Sequence, residues 1–260
     1  MRVSRREMDA DSSNEKRVPP AGLLVVDKPV GIPSTRLLYR LRRTTGVRKS
    51  GHAGALDPLA SGVLILCLGK ATKLVEALMH LSKIYRATAR LDVTNPGYDL
   101  EMDLEPVSVE GPPTAEEVVQ AARRFEGPIL QAPPTYSSVK IKGVPAYKLA
   151  QKNKIERLEP RPVIIHWLVV TRYEWPELDF EVACGRGTYI RSLIRDWGRA
   201  LKTGGCLTSL RRLAVGPFTT DTAHTPEHIE AKPLAEVLIP LEEAREQISR
   251  ARAQVPPRPP

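Results

Sequence analysis

The sequence predicts an α+β fold, a mixed, mostly antiparallel sheet flanked by helices and loops. Three observations carry that prediction. Strand-length apolar runs recur at residues 23–26, 63–68 and 163–170. Strict alternation marks Tyr85, Ala87, Ala89 and Leu91, and again Leu178, Phe180, Val182 and Cys184. Helical periodicities lie between these strands without the regular strand–helix alternation of a parallel sheet. With 260 residues, 42% of them hydrophobic, the chain can hold one large domain or one domain plus a small appendage.

Taken in order, residues 1–20 are polar, with charges of both signs and no apolar core, so they predict a disordered segment rather than a signal peptide. Residues 21–26 form a strand stopped by the Pro29 and Gly31 turn. Ser34 or Thr35 can cap a helix that turns Leu37, Leu38 and Leu41 inward and Arg36, Arg40 and Arg43 outward, and Gly46 ends it. Residues 51–62, with three glycines and a proline, read as a shaped loop anchored to the buried strand 63–68. A helix follows through Leu74, Val75, Leu78 and Met79, and then the alternating strand 83–91. The acidic region 92–110 reads as loop and hairpin, and Thr114-Ala115-Glu116-Glu117 is a capping box opening a helix to about Phe125. A Pro-rich loop spans 128–134, with a short helix near Tyr147. Gly185-Arg186-Gly187-Thr188 joins the strand ending at Cys184 to a helix whose Ile190, Leu193, Ile194, Trp197 and Leu201 form one stripe. After Phe218 the pattern weakens, leaving one terminal helix around 241–252 and a Pro-rich tail. The predicted division is therefore a disordered 1–20, a catalytic domain 21–220 and a short extension 221–260.

Charge points to an anionic partner. The formal net charge is +9, and the bases are segregated. From Lys28 through Leu56 there are seven bases and no acid, and 186–212 carries seven bases against Asp196 alone. Asp92 to Glu117 carries eight acids and no base. One cationic and one anionic face is what a surface tracking a nucleic-acid backbone needs. Asp57 is a lone acid beside the first basic stretch, and an isolated Asp is more often a structural ion-pair partner than a reactive group.

Several chemistries fail on spacing. The Gly62–Lys70 stretch is too long for a phosphate loop and has Ala71 where Ser or Thr is required. His224 and His228 are four apart but lack convergent ligands, so no metal site is predicted. Cys67, Cys184 and Cys206 are too few and scattered for disulfides or zinc. No apolar stretch reaches membrane-spanning length, so a cytoplasmic chain with no membrane partner is expected. The turn at 185–188 is more informative. Free N–H groups at a helix start, with Arg186 and Arg191, suit a phosphate or a carboxylate. Arg191, in the first turn, is better placed to reach a cleft than Arg195 or Arg199, which are expected to meet solvent or phosphate.

Five stretches in order carry a resemblance from about Leu23 to Phe218. They are Asp27-Lys28-Pro29-x-Gly31; residues 51–62 with Gly69-Lys70-Ala71-Thr72-Lys73; Lys83-x-Tyr85; the 131–143 stretch containing Gln131-Ala132-Pro133-Pro134-x-Tyr136-Ser137-Ser138; and Gly187-Thr188-Tyr189-Ile190-Arg191-Ser192-Leu193. The chain resembles the TruB family of tRNA pseudouridine synthases. The resemblance implies the pseudouridine synthase fold around a central RNA-binding cleft. It implies isomerisation of the T-loop uridine at position 55 of tRNA by base flipping, glycosidic cleavage and rejoining of C1′ to C5. No cofactor or metal is implied, and a monomer acting on the tRNA T stem-loop is expected. Asp57 matches the catalytic aspartate, acting at C1′ or on the 2′ proton. Tyr85 matches the tyrosine stacked under the base, and Arg191 the arginine that pairs with the aspartate. His52 resembles the histidine that fills the space of the extruded nucleotide. Tyr189 and Leu210 resemble residues of the uracil pocket, with Lys28 and Pro29 beside it. Lys70, Lys73, Arg186, Arg195, Arg199 and Lys202 are expected on RNA phosphates.

The sequence departs from the family pattern in three places. Ala55 replaces the usual Thr, residues 92–99 do not follow the Leu-Gly then Thr-Asp-Thr pattern, and the usual C-terminal RNA-binding domain of the PUA type is not expected. Two other functions compete with this reading. One is a non-catalytic RNA-folding factor using the same cleft. The other is a guide-RNA-dependent pseudouridine synthase.

Overall fold

The computed structural model describes residues 20–137, 139–141, 143–150, 152, 154, 158–252 and 254–259. The segment expected to be disordered lies outside these, apart from Pro20, as do Ser138 and Lys142 of the 131–143 motif. The elements run β1 (Gly22–Lys28), α1 (Ser34–Thr45), β2 (Ser50–His52), β3 (Ala60–Leu68), α2 (Val75–His80) and β4 (Lys83–Arg90). Next come β5 (Val93–Thr94), β6 (Glu105–Pro106), α3 (Ala115–Arg123), β7 (Gly127–Gln131), β8 (Lys140–Ile141), β9 (Val144–Pro145) and α4 (Ala146–Ala150). The chain continues with β10 (Arg161–Glu174), β11 (Glu177–Cys184), α5 (Ile190–Leu201), β12 (Cys206–Val215) and β13 (Phe218–Thr219). It closes with α6 (Pro226–Ala231), α7 (Leu234–Val237), β14 (Ile239–Pro240) and α8 (Leu241–Ala251).

The main sheet runs β14-β1-β3-β12-β4-β11-β10-β7, with β2 pairing β3 and β13 pairing β12. Among the described residues, β12 pairs with β3 in parallel and the sheet's other strand pairings are antiparallel, so the mixed α+β architecture is as expected. The apolar runs in β1 and β3 are continuous because both faces of those strands are covered. Leu24, Val26, Leu64 and Leu66 join the core beneath α1, α3 and α5, where the Phe180 and Trp197 rings meet edge to face at 5.4 Å. Leu23, Val25, Val63, Ile65 and Cys67 face the other way, against Leu78, Phe218, Ala244 and Ile248.

That second face corrects the reading of the C-terminal segment as a one-helix extension. Its described residues form the helices α6, α7 and α8, and β14 extends the sheet by pairing Ile239 with Leu23. Its signal is weak in sequence because each helix is short and buries only one to three residues. Thr114 and Glu117 form both halves of the expected capping box, and β5 with β6 is the expected hairpin. Other elements differ. The 51–62 stretch is a loop only over residues 53–59, because β2 pairs with the end of β3 and the start of β3 pairs with β12. The Pro-rich 128–134 region begins as β7, an edge strand where Pro128 removes no central ladder bond. Strand β12 is hidden in the sequence because Arg211 and Arg212 interrupt its apolar pattern. Among the described residues, no helix is long and apolar enough to cross a membrane.

Candidate active site

Strand β12 lies between β3 and β4, and its ladder assembles the site. Leu210 sits opposite Ala60 on one side and Ala87 on the other; Arg212 sits opposite Gly62 and Tyr85. The loop before β3 is thereby drawn beside the start of β4. Close approach demands glycine at 62: its φ is +96°, and a Cβ there would lie 2.2 Å from the Arg212 carbonyl oxygen. Ser34 does not cap α1, whose N-cap is Pro33. Its buried hydroxyl instead accepts from the Leu56 N–H at 2.8 Å and donates to the Leu56 carbonyl at 2.9 Å.

The carboxylate of Asp57 opens into a cavity of about 440 Å³ lined by His52, Tyr85, Tyr189, Leu210, Arg191 and Arg212, among others. Arg191, 5% exposed, brings Nε to 2.9 Å from Asp57 Oδ2, a charge contact rather than an aligned hydrogen bond. Its orientation comes from elsewhere: Nη1 donates to the Gly97 carbonyl and Nη2 to the Tyr136 carbonyl, each at 3.0 Å. Buried Asp99 lies 3.5 Å from the same Nε. Burial pushes the Asp99 carboxyl up and the Arg191 charge opposes that rise.

Asp99 and Gly97 have no signal in the sequence because they belong to the stretch that departs from the family pattern. Asn95 shapes that loop: its Oδ1 accepts from Tyr98 N–H at 2.6 Å, and its Nδ2 donates to the Asp99 and Met102 carbonyls. Tyr98 takes φ +58°, a left-handed conformation that Asn95 holds in place.

Tyr85 is 9% exposed, and burial pushes its phenol up, with Arg212 opposing the shift. His52 is half-buried; burial and Arg212 push its imidazole down, favouring the neutral ring, and its buried Nδ1 has no hydrogen-bond partner among the described residues. Lys28 and Pro29 do not line the cavity. Lys28 is fully buried and donates to the carbonyls of Pro29, Ile32 and Pro58, bracing the backbone just past Asp57. Pro29 is exposed.

The predicted phosphate-binding bases separate into groups. Lys70 and Lys73 are exposed on the turn after β3. Arg186 lies at the cavity and is tied to Glu76 and His80. Arg195 is corrected: it is buried, donating to Asp196 and to the Ala132 carbonyl, with its guanidinium 5.5 Å from the Tyr98 ring centroid. One helical turn beyond Arg191, its side chain falls between α5 and the 131–134 segment instead of in water. Arg199 and Lys202 are exposed at the other end of α5, on the order of 12–16 Å along its axis from Arg191. Lys202 there shares a groove with Glu110 and Glu117. The turn at 185–188 is not itself the helix start: α5 begins at Ile190, and the Tyr189 N–H donates to Gln131 Oε1. Among the described residues, no three His, Cys, Asp or Glu side chains converge as a metal site, and His224 and His228 stack on each other.

Comparison with known proteins gives this geometry a family. Residues 42–190 match the model of the TruB family pseudouridylate synthase N-terminal domain, and residues 191–245 that of the tRNA pseudouridylate synthase B C-terminal domain. The chain is 45% identical over 210 residues to the tRNA pseudouridine synthase B of Syntrophus aciditrophicus, covering 80% of the chain and 66% of that protein. It is 40% identical to the same-named protein of Syntrophobacter fumaroxidans, covering 81% and 69%. Among solved structures, it resembles a chain of a Cbf5-Nop10-Gar1 complex with 29% identity and a TM-score of 0.67, covering 87% of this chain and 62% of that one. A chain from an H/ACA RNP bound to a substrate RNA containing 2′-deoxyuridine gives 28% and 0.65, covering 87% and 61%. With the sheet, the loop of Asp57 and the Arg191 contact all in one cavity, these matches place the chain in the TruB family of pseudouridylate synthases.

Proposed function

We propose that this chain converts uridine to pseudouridine in the T loop of tRNA, at position 55, with Asp57 as the reacting carboxylate. The observation that carries the reading is Asp57 itself, 39% exposed in an otherwise walled cavity and held by a nearly buried Arg191 at 2.9 Å. A guanidinium at that distance holds the carboxylate in place and aims it into the cavity, as attack at C1′ or removal of the 2′ proton requires. Tyr85 lies on the cavity wall as a ring for the uracil to stack on, and Leu210 and Tyr189 complete an apolar slot. His52, neutral and on the cavity wall, is suited to occupy the stack position left by a flipped nucleotide. Lys70 and Lys73, exposed on the turn after β3, are the bases offered to the RNA phosphates. A tRNA substrate is favoured over a guide-RNA-directed one because the relatives named for tRNA are 40–45% identical, against 28–29% for the Cbf5 and H/ACA structures.

The test uses a tRNA transcript tritiated at uridine C5. Isomerisation replaces that hydrogen, so tritium appears in water. Release by the wild type and none by Asp57→Asn, with tRNA binding retained, is the expected result. Binding without release by the wild type would leave an RNA-folding factor instead.

A further inference from the structure

Four cationic side chains line the cavity: Lys83, Arg186, Arg191 and Arg212. Two are neutralised, Arg186 by Glu76 and Arg191 by Asp57 and Asp99. The other two have no carboxylate within ion-pair distance among the described residues. Arg212, 2% exposed, donates to backbone carbonyls, Nε to Val63 at 2.7 Å and Nη2 to Gly54 at 3.0 Å. Lys83, 8% exposed, donates to the carbonyls of Met79 and Leu81. Buried cations without counter-ions are unfavourable for folding alone, so their presence at a cavity wall needs a partner that arrives later. Their position says which. Arg212 faces Tyr85 across the β12–β4 ladder, and Lys83 lies two residues before Tyr85 on β4. The cavity is therefore negative at Asp57, on the sugar side, and positive around Tyr85, on the base side.

We propose that Arg212 and Lys83 stabilise the uracil anion formed when the glycosidic bond breaks. The inference rests on the uridine isomerisation proposed above. In that step the C1′–N1 electron pair stays with N1 and spreads onto O2 and O4. The valence at C1′ is filled by a bond to an Asp57 oxygen, or by a C1′–C2′ double bond after the 2′ proton passes to Asp57. The anion is the same by either route. The ring then turns, C5 bonds to C1′ as the Asp57 bond breaks or Asp57 returns its proton to C2′, the C5 proton is lost, and N1 takes up a proton. A fixed field, negative toward C1′ and positive toward the ring, matches the charge separation of this step and needs no rearrangement to act.

The experiment compares two tRNA transcripts, one carrying uridine and one 5-fluorouridine at the target position, under single-turnover conditions. Rearranged nucleoside is quantified after nuclease digestion. Fluorine at C5 stabilises the uracil anion by induction, so it substitutes in part for the protein's field. Arg212→Gln is expected to slow rearrangement of uridine by about 100-fold. With 5-fluorouridine the loss should be at least tenfold smaller, Arg212→Lys should recover most of the rate, and tRNA affinity should move by less than about threefold. Equal losses on the two transcripts, or a loss confined to tRNA affinity, would overturn the proposal. If Arg212→Gln does not fold, Lys83→Gln carries the same comparison with the same criteria. Failure of the wild type to rearrange uridine at all would instead reject the activity, a separate and distinguishable result.

Discussion

The Ser34 hydroxyl both accepts from and donates to the backbone of Leu56, at 2.8 and 2.9 Å, so the first residue of α1 fixes the peptide that precedes Asp57. Neither bond is local; 22 residues separate the partners. The loop of Asp57 is held to a helix rather than left to its own glycines.

Ser34→Ala leaves a buried N–H and C=O without their partner. Such a loss costs about 1–3 kcal/mol. The variant is expected to unfold at lower urea and to release tritium more slowly, with tRNA affinity little changed. Unaltered turnover would show that Asp57 is positioned without this bond.

Arg191→Lys keeps the charge but not the fork. One ammonium cannot reach Asp57 and the carbonyls of Gly97 and Tyr136 together as the guanidinium does. The expected loss is in kcat, by about 10²–10³-fold, as for removal of a positioned donor. Quench-flow with bound tRNA separates that from a change in affinity.

Exposed and buried bases should behave oppositely. Changing exposed Lys70 and Lys73 to Gln should weaken tRNA binding and flatten its dependence on salt by about one log unit for each lysine replaced. Arg195→Ala should lower the melting temperature instead, because its bonds to Asp196 and Ala132 are internal, and leave the salt slope alone.

Burial holds the Lys28 amine down at about 8, against 10.5 in an unfolded chain. Between those values the unfolded chain binds a proton that the folded chain has released, so this group makes stability rise with pH through that window; below pH 8 the penalty is fully present. Lys28→Met has no proton to lose. Urea unfolding at pH 7.5 and 10 should show the wild type gaining on the variant by on the order of 1–2 kcal/mol.

Much of this was legible in the chain itself. Alternation placed Tyr85 on the inward face of β4, and the spacing of Ile190, Leu193, Ile194 and Trp197 set the buried side of α5. Arg191 at the edge of that stripe was readable as reaching inward. Arg195 was not, since whether a helical flank meets water depends on what packs beside it, here Ala132 and Tyr98.

What the sequence settled alone was local: where the backbone extends, where it coils, where a capping box opens α3, and which short stretches resemble those of a known family. Tertiary structure decided the rest. Strand β12 carries bases that break its apolar pattern, so only pairing with β3 and β4 reveals that Arg212 turns inward beside Tyr85. Gly97 and Ser34 act through partners 94 and 22 positions away, and Asp99 meets the same distant Arg191. Periodicity reports a residue's orientation on its own element. It carries no information about which distant backbone or charge will meet that side chain once the sheet has closed.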